Sequence, residues 1–157
     1  MWKAILVLLV AAGAARAETG GRVVGVVDGD TIDVIAGRAT TRVRLWGIDC
    51  PEMGQPFGKA AKHFTSEACF GKAVALEERG KDRYGRALAI VRLADGRSLN
   101  SALVQEGLAW WYYSFAPKAL DLATGERDAR RARKGLWADP DPVPPWSWRK
   151  LKRRVPS

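Results

Sequence analysis

The stretch Arg22-Val23-Val24-Gly25-Val26-Val27-Asp28-Gly29-Asp30-Thr31-Ile32-Asp33-Val34-Ile35-Ala36 decides the fold. A β-rich run enters a turn at Asp28-Gly29-Asp30, and the chain leaves it alternating apolar and polar, as a strand with one buried face does. The pair reads as a hairpin. Outward from it, Arg42-Val43-Arg44-Leu45-Trp46 alternates strictly and makes a third strand. Phe57, Ala60, Ala61, Phe64 and Ala68 then recur at helical spacing, with Pro56 at the start and Gly71 at the stop. Lys72 to Glu77 and Ala87 to Leu93 read as fourth and fifth strands. Ser98 caps a short helix through Leu103 to Gly107. Pro117 opens a last helix to about Lys134, with Gly125 a weak point inside it. Residues 138–145 are Pro- and Asp-rich and extended, and 146–157 form a Trp-rich basic end. Five short strands with a helix between the third and fourth suggest a small α+β fold built on a closed OB-type barrel.

The chain has 157 residues, 47% of them apolar, which supports one domain and excludes a disordered composition. Its formal charge is +9, which points to an anionic partner: nucleic acid, an anionic membrane surface or an acidic polymer. The charge is uneven. Residues 18–126 hold 14 basic and 14 acidic side chains, and residues 127–157 hold 10 and 3. One histidine excludes multi-His metal sites, and two cysteines exclude a four-Cys zinc site. His63 falls on the first predicted helix and reads as structural.

Residues 1–17 read as a secretory signal, with Lys3 at the start, an apolar run and Ala15-Arg16-Ala17 at a cleavage site. The alternative is an uncleaved N-terminal anchor. Export places the protein outside the cytoplasm, secreted or periplasmic, where Cys50 and Cys69 are free to form a disulfide or to remain buried thiols. The expected organisation is a signal at 1–17, a barrel domain at 18–137 and a tail at 138–157.

Asp28, Asp30, Asp33, Asp49 and Glu52 lie on or beside strand ends. Acids so crowded repel unless a cation sits among them, and oxygen donors suit a hard ion such as Ca²⁺; each also suits a solvated turn. The spacing is not an EF-hand, because Asp33 and Ala39 stand where its glycine and bidentate glutamate belong. Arg44 and Arg86 are the matching cations, with planar forks suited to phosphate oxygens.

Four blocks together resemble the staphylococcal nuclease (thermonuclease) family: Val27-Asp28-Gly29-Asp30-Thr31, Val43-Arg44-Leu45-Trp46-Gly47-Ile48-Asp49-Cys50-Pro51-Glu52, Asp82-Arg83-Tyr84-Gly85-Arg86, and the run from Leu99 to Ala109. They fall in family order and span about residues 22–137. The resemblance implies a five-stranded OB-type barrel with about three helices, and a monomer that hydrolyses DNA and RNA with Ca²⁺. It implies Asp30, Asp49 and the backbone carbonyl of Cys50 as metal ligands, where the founding protein has Thr in place of Cys50. Arg44 and Arg86 match phosphate-clamping arginines, and Glu52 matches the general base or water-positioning acid. Arg83, Tyr84 and Tyr113 match nucleotide-contacting positions, while Phe115 replaces a second tyrosine. The same resemblance implies 3′-phosphate products and a preference for single-stranded or frayed substrate. A nucleic-acid-binding module without catalysis is the competing reading. In the tail, Trp146, Trp148 and the run Arg149 to Arg154 suit a nucleic-acid clamp, a membrane contact, or Trp packing beside a solvated basic end.

Overall fold

A computed structural model describes residues 19–154. The proposed signal lies outside them. Seven strands and four helices follow in order: β1 Thr19–Asp28, β2 Thr31–Ala36, β3 Ala39–Leu45, β4 Ile48–Asp49, α1 Gly58–Cys69, β5 Ala73–Lys81, β6 Ala87–Arg92, α2 Leu99–Gln105, β7 Trp110–Trp111, α3 Leu120–Arg131 and α4 Pro145–Arg154. A 3-10 turn, Gly135–Ala138, precedes α4.

Five strands close into a barrel in the order β1-β2-β3-β6-β5. The expected hairpin is β1–β2, with Asp28 opposite Thr31 across the turn. β1 starts earlier than its apolar run because its first residues, Thr19 to Arg22, pair with Leu76 to Ala73 of β5 and close the barrel. Register shifts between Val23 and Gly25 and between Val26 and Asp28 bend β1, so one strand serves both neighbours. The β3–β6 contact is parallel, with Arg44 opposite Leu88. Alternation delivers Val23, Ile32, Val43, Leu45, Ala89 and Val91 to a core where each is at most 1% exposed.

The helices hold the barrel's turns in place. Ser98 caps α2 by accepting from the Ser101 N–H at 3.2 Å. Buried Asn100 then ties α2 to the barrel. Its Oδ1 accepts from the Val91 N–H at 3.0 Å, and its Nδ2 donates to the Trp46 and Ala89 carbonyls. On α1, the Thr65 hydroxyl donates to the Gly29 carbonyl at 2.6 Å. A Cβ on Gly29 would come within 2.7 Å of Ala61 Cβ and 2.9 Å of Cys50 Sγ, so only glycine lets the hairpin turn lie this close to α1. Gly125 marks no weakness in α3. It is buried, and a Cβ there would stand 3.3 Å from Gln105 Cγ, so it is where α3 packs against α2.

The basic end differs most from expectation. Residues 145–154 form a helix, α4, whose residues 150–153 are exposed to solvent. Trp146 packs as anticipated: it stacks on Tyr112 at 5.0 Å between centroids and meets Trp110 edge-on at 5.6 Å. Trp110, Trp137, Leu136 and Ala129 form a second apolar cluster under it. Cys50 and Cys69 are both buried free thiols, which resolves the earlier alternative against a disulfide. Burial pushes the Cys69 thiol up to about 11. No helix among the described residues is long and apolar enough to cross a membrane.

Candidate functional site

One cleft of about 1130 Å³ opens between the hairpin turn, the β4 loop, the β5–β6 turn and α4. It is lined by Asp30, Arg44, Asp49, Cys50, Glu52, Arg83, Tyr84 and Arg86, so eight of the nine residues singled out from sequence converge here. Tyr113 does not line it. Its ring stands edge-on to Trp111 at 6.0 Å, and its neighbour Tyr112 faces the cleft instead.

Each acid is held by backbone close at hand. Asp30 sits in the hairpin turn, and its Oδ2 accepts from the Cys50 N–H at 2.5 Å. Asp49 lies in the two-residue strand β4, paired with Trp110 of β7. Arg44 reaches both from β3: Nη1 lies 2.5 Å from Asp30 Oδ1 and Nη2 lies 2.8 Å from Asp49 Oδ1. The side chains of Asp30 and Asp49 are 6% and 1% exposed, so Arg44 bridges two buried carboxylates. Glu52 is more open. Its N–H donates to Gln55 Oε1 at 3.1 Å, and the Gln55 amide donates to the Val143 carbonyl at 2.6 Å, fastening this loop to the segment before α4.

Arg86 comes from a separate turn. Asp82 Oδ1 accepts from the Tyr84 and Arg86 N–H groups, and its Oδ2 accepts from Arg86 Nε at 2.7 Å. This Asx-type turn fixes Arg86 on the cleft while leaving the Tyr84 ring 70% exposed. Arg83 and Arg86 lie 4.8 and 5.6 Å from that ring's centroid. Asp33 belongs elsewhere, paired with Arg42 at 2.9 Å. His63 is exposed on α1, 3.4 Å from Glu67, and outside the cleft.

Sequence reasoning placed Arg149 in the basic run but missed its pairing with the acids of the cleft. Its Nη2 lies 2.8 Å from Asp49 Oδ2, and its Nη1 lies 2.7 Å from Glu52 Oε1. The available clue was spacing: Trp146, Arg149 and Arg153 fall on one helical stripe, with the tryptophan as anchor.

The electrostatics favour an added cation. Burial pushes Asp30 up to about 7, against the pull of Arg44 and with Asp28 and Asp49 adding repulsion. For Arg44, burial favours the neutral form, but Asp30 and Asp49 outweigh it and hold the guanidinium charged well above its ordinary value. Its Nη1 is buried without an aligned hydrogen bond, so the contact to Asp30 is charge against charge. Among the described residues no three His, Cys, Asp or Glu side chains converge as a metal cluster. The donor set that does fit a hard cation is two carboxylates, Asp30 and Asp49, with the Cys50 carbonyl beside them. Burial pushes the Cys50 thiol far up, which argues against a thiolate ligand.

Comparison with known proteins shows the family of the chain. Residues 42–139 match the family described as staphylococcal nuclease homologue. The chain is 41% identical to a micrococcal nuclease of Shigella flexneri over 161 aligned positions, covering 97% of this chain and 92% of that protein. It is 41% identical to an uncharacterized endonuclease of Escherichia coli O157:H7, covering 87% and 88% of the two chains. It is 39% identical to the staphylococcal-like nuclease CAN1 of Arabidopsis thaliana over 112 residues, 71% of this chain and 34% of that larger protein.

Proposed function

Because the chain belongs to the staphylococcal nuclease family, we propose that it is a Ca²⁺-dependent phosphodiesterase acting on DNA and RNA. The observation that carries this reading is the Arg44 fork across Asp30 and Asp49, in a cleft that also presents Glu52 and Arg86. Asp30, Asp49 and the Cys50 carbonyl would hold the ion. When bound, Ca²⁺ supplies positive charge to the scissile phosphate.

The chain's own groups do the rest. Arg44 and Arg86 offer planar donors to phosphate oxygens, which gain negative charge as phosphorus becomes five-coordinate. Glu52 is exposed enough to meet water and accepts its proton as the water oxygen bonds to phosphorus. The P–O5′ bond breaks, the 5′ oxygen takes a proton from the solvent in the open cleft and leaves as a hydroxyl, and the other fragment keeps the phosphate on its 3′ end. Tyr84 offers an exposed ring to a base, and Tyr112 and Phe115 line the same cleft. Stacking on the open Tyr84 ring requires an unpaired base, which favours single-stranded or frayed substrate. We place the protein outside the cytoplasm as a monomer, after cleavage following Ala17; N-terminal sequencing of exported protein tests this.

The deciding experiment incubates the folded protein with denatured DNA in Ca²⁺ or EGTA and analyses the product ends. Ca²⁺-dependent cleavage leaving 3′-phosphates is expected. Binding without cleavage would leave a non-catalytic module on this fold.

A further inference from the structure

The family match ends at residue 139, before α4 begins. The ten residues of α4 carry five basic side chains and no acid. They divide by face. Arg149, Lys152 and Arg153 stand at i, i+3 and i+4, on one stripe of the helix, and all three line the cleft beside Trp148. Lys150 lies off that stripe and does not line it. Arg149 is paired with Asp49 and Glu52. Lys152 and Arg153 have no carboxylate within ion-pair distance among the described residues; Lys152 Nζ instead lies 5.7 Å from the Trp148 ring centroid, and Arg153 Nε donates to the Arg149 carbonyl at 3.3 Å. The cleft thus has neutralised cations around its acids and cations without a carboxylate partner on its α4 wall and, among the described residues, at Lys81 and Arg83 around the β5–β6 turn. Its volume, about 1130 Å³, is more than one small ligand usually fills.

We propose that α4 is a phosphate-binding wall of the active cleft. Lys152 and Arg153 hold backbone phosphates of a single-stranded polynucleotide beyond the one clamped by Arg44 and Arg86. Arg149 fastens the helix to Asp49 and Glu52 so that those two cations face the strand. The proposal rests on the nuclease reading for the identity of the polyanion. Residues 18–126 balance basic and acidic charge, and α4 alone adds five basic side chains and no acid, so it contributes a large share of the net attraction for a chain of phosphates. Trp148 adds an aromatic face on the same wall.

The test measures binding of a labelled oligothymidylate of about ten nucleotides, in EGTA, across a salt series. With no metal present nothing is cleaved, so failure of the nuclease reading and failure of this one are separable. The double variant Lys152→Ala/Arg153→Ala should flatten the slope of log K against log salt by about 1.4, the value for two phosphate contacts on a single strand. The control Lys150→Ala/Arg131→Ala removes the same charge away from the cleft and should flatten it by less than half as much. Equal slopes in the two variants, or no change in the first, would overturn the proposal. So would a loss confined to phosphatidylserine vesicles, which would assign the helix to a membrane surface.

Discussion

Arg149 Nη2 lies 2.8 Å from Asp49 Oδ2, two residues a hundred positions apart, and the same guanidinium reaches Glu52 Oε1 at 2.7 Å. A fixed cation therefore stands between a proposed metal ligand and the proposed base. Asp49 and Glu52 hold Arg149 charged, well above its ordinary value, against the pull of partial burial. A metal ion binding at Asp49 has to compete with it. Arg149→Ala should tighten Ca²⁺ binding about fivefold or more, read by calorimetry without substrate, a change of about 1 kcal/mol that suits a partly exposed ion pair. Unchanged or weaker Ca²⁺ binding would show that Arg149 and the ion do not compete.

The two arginines assigned to phosphate differ in what else they support. Arg44 is the bridge between two buried carboxylates, and its removal leaves Asp30 without an ion-pair partner and Asp49 with Arg149 alone. Arg44→Ala should lower stability by about 3–5 kcal/mol in urea unfolding as well as abolish cleavage. Arg86 is partly exposed and pairs within its own turn with Asp82. Arg86→Ala should stay within about 1 kcal/mol of wild type while losing most activity. Similar stability losses in the two variants would contradict this division.

The parts of this site legible in sequence are those whose position follows from local pattern. Asp30, Arg44 and Asp49 lie on strands or a turn whose alternation and turn residues are visible in the chain, and the barrel's pairing then brings them together. Tyr112 and Tyr113 were harder to separate. The two-residue strand β7 pairs Trp111 with Ile48, and the following Tyr112 N–H donates to the Gly47 carbonyl, which sets which ring faces the cleft. That choice depends on a partner some sixty residues earlier. Helix α4 was illegible for a stronger reason. Five like charges disfavour an isolated helix, and it is held by Trp146 on Tyr112 and by Arg149 on Asp49 and Glu52. Those are tertiary contacts whose partners lie far off in the chain, and within the segment only the Trp146, Arg149, Arg153 spacing hints at them.

Asp30 gives the metal-free protein a definite pH dependence. Its folded pKa, about 7, lies above the unfolded value near 3.8. Between those values the folded state keeps a proton that the unfolded state has lost. Stability contributed by this group is therefore full below pH 4 and falls as pH rises to about 7. Asp30→Asn removes the titration. In EGTA, wild type should lose ground to Asp30→Asn across that window and hold a constant gap above it, as measured by urea midpoints. Added Ca²⁺ at pH 8 should raise the wild-type midpoint and leave Asp30→Asn nearly unchanged. A pH-independent gap would show that the Asp30 carboxylate is not strained by burial.

The position of Glu52 depends on the first residue of α1. A Cβ on Gly58 would fall 1.9 Å from the Glu52 carbonyl oxygen and 2.6 Å from its carbonyl carbon, both backbone atoms that cannot rotate away. Gly58→Ala must therefore shift the loop from Glu52 to Gln55, which Gly58 itself caps through its N–H to the Gln55 carbonyl. Gly54 lies in the same loop, but a Cβ there meets only Lys152 Nζ, the mobile end of a long side chain, at 3.3 Å. Gly58→Ala should cost about 1–3 kcal/mol of stability and tenfold or more, up to about a hundredfold, in kcat, with a smaller effect on KM. Gly54→Ala should remain near wild type on both. Because the two substitutions add the same methyl group to one loop, equal kcat values would mean that the backbone at Glu52 does not govern proton removal from the attacking water.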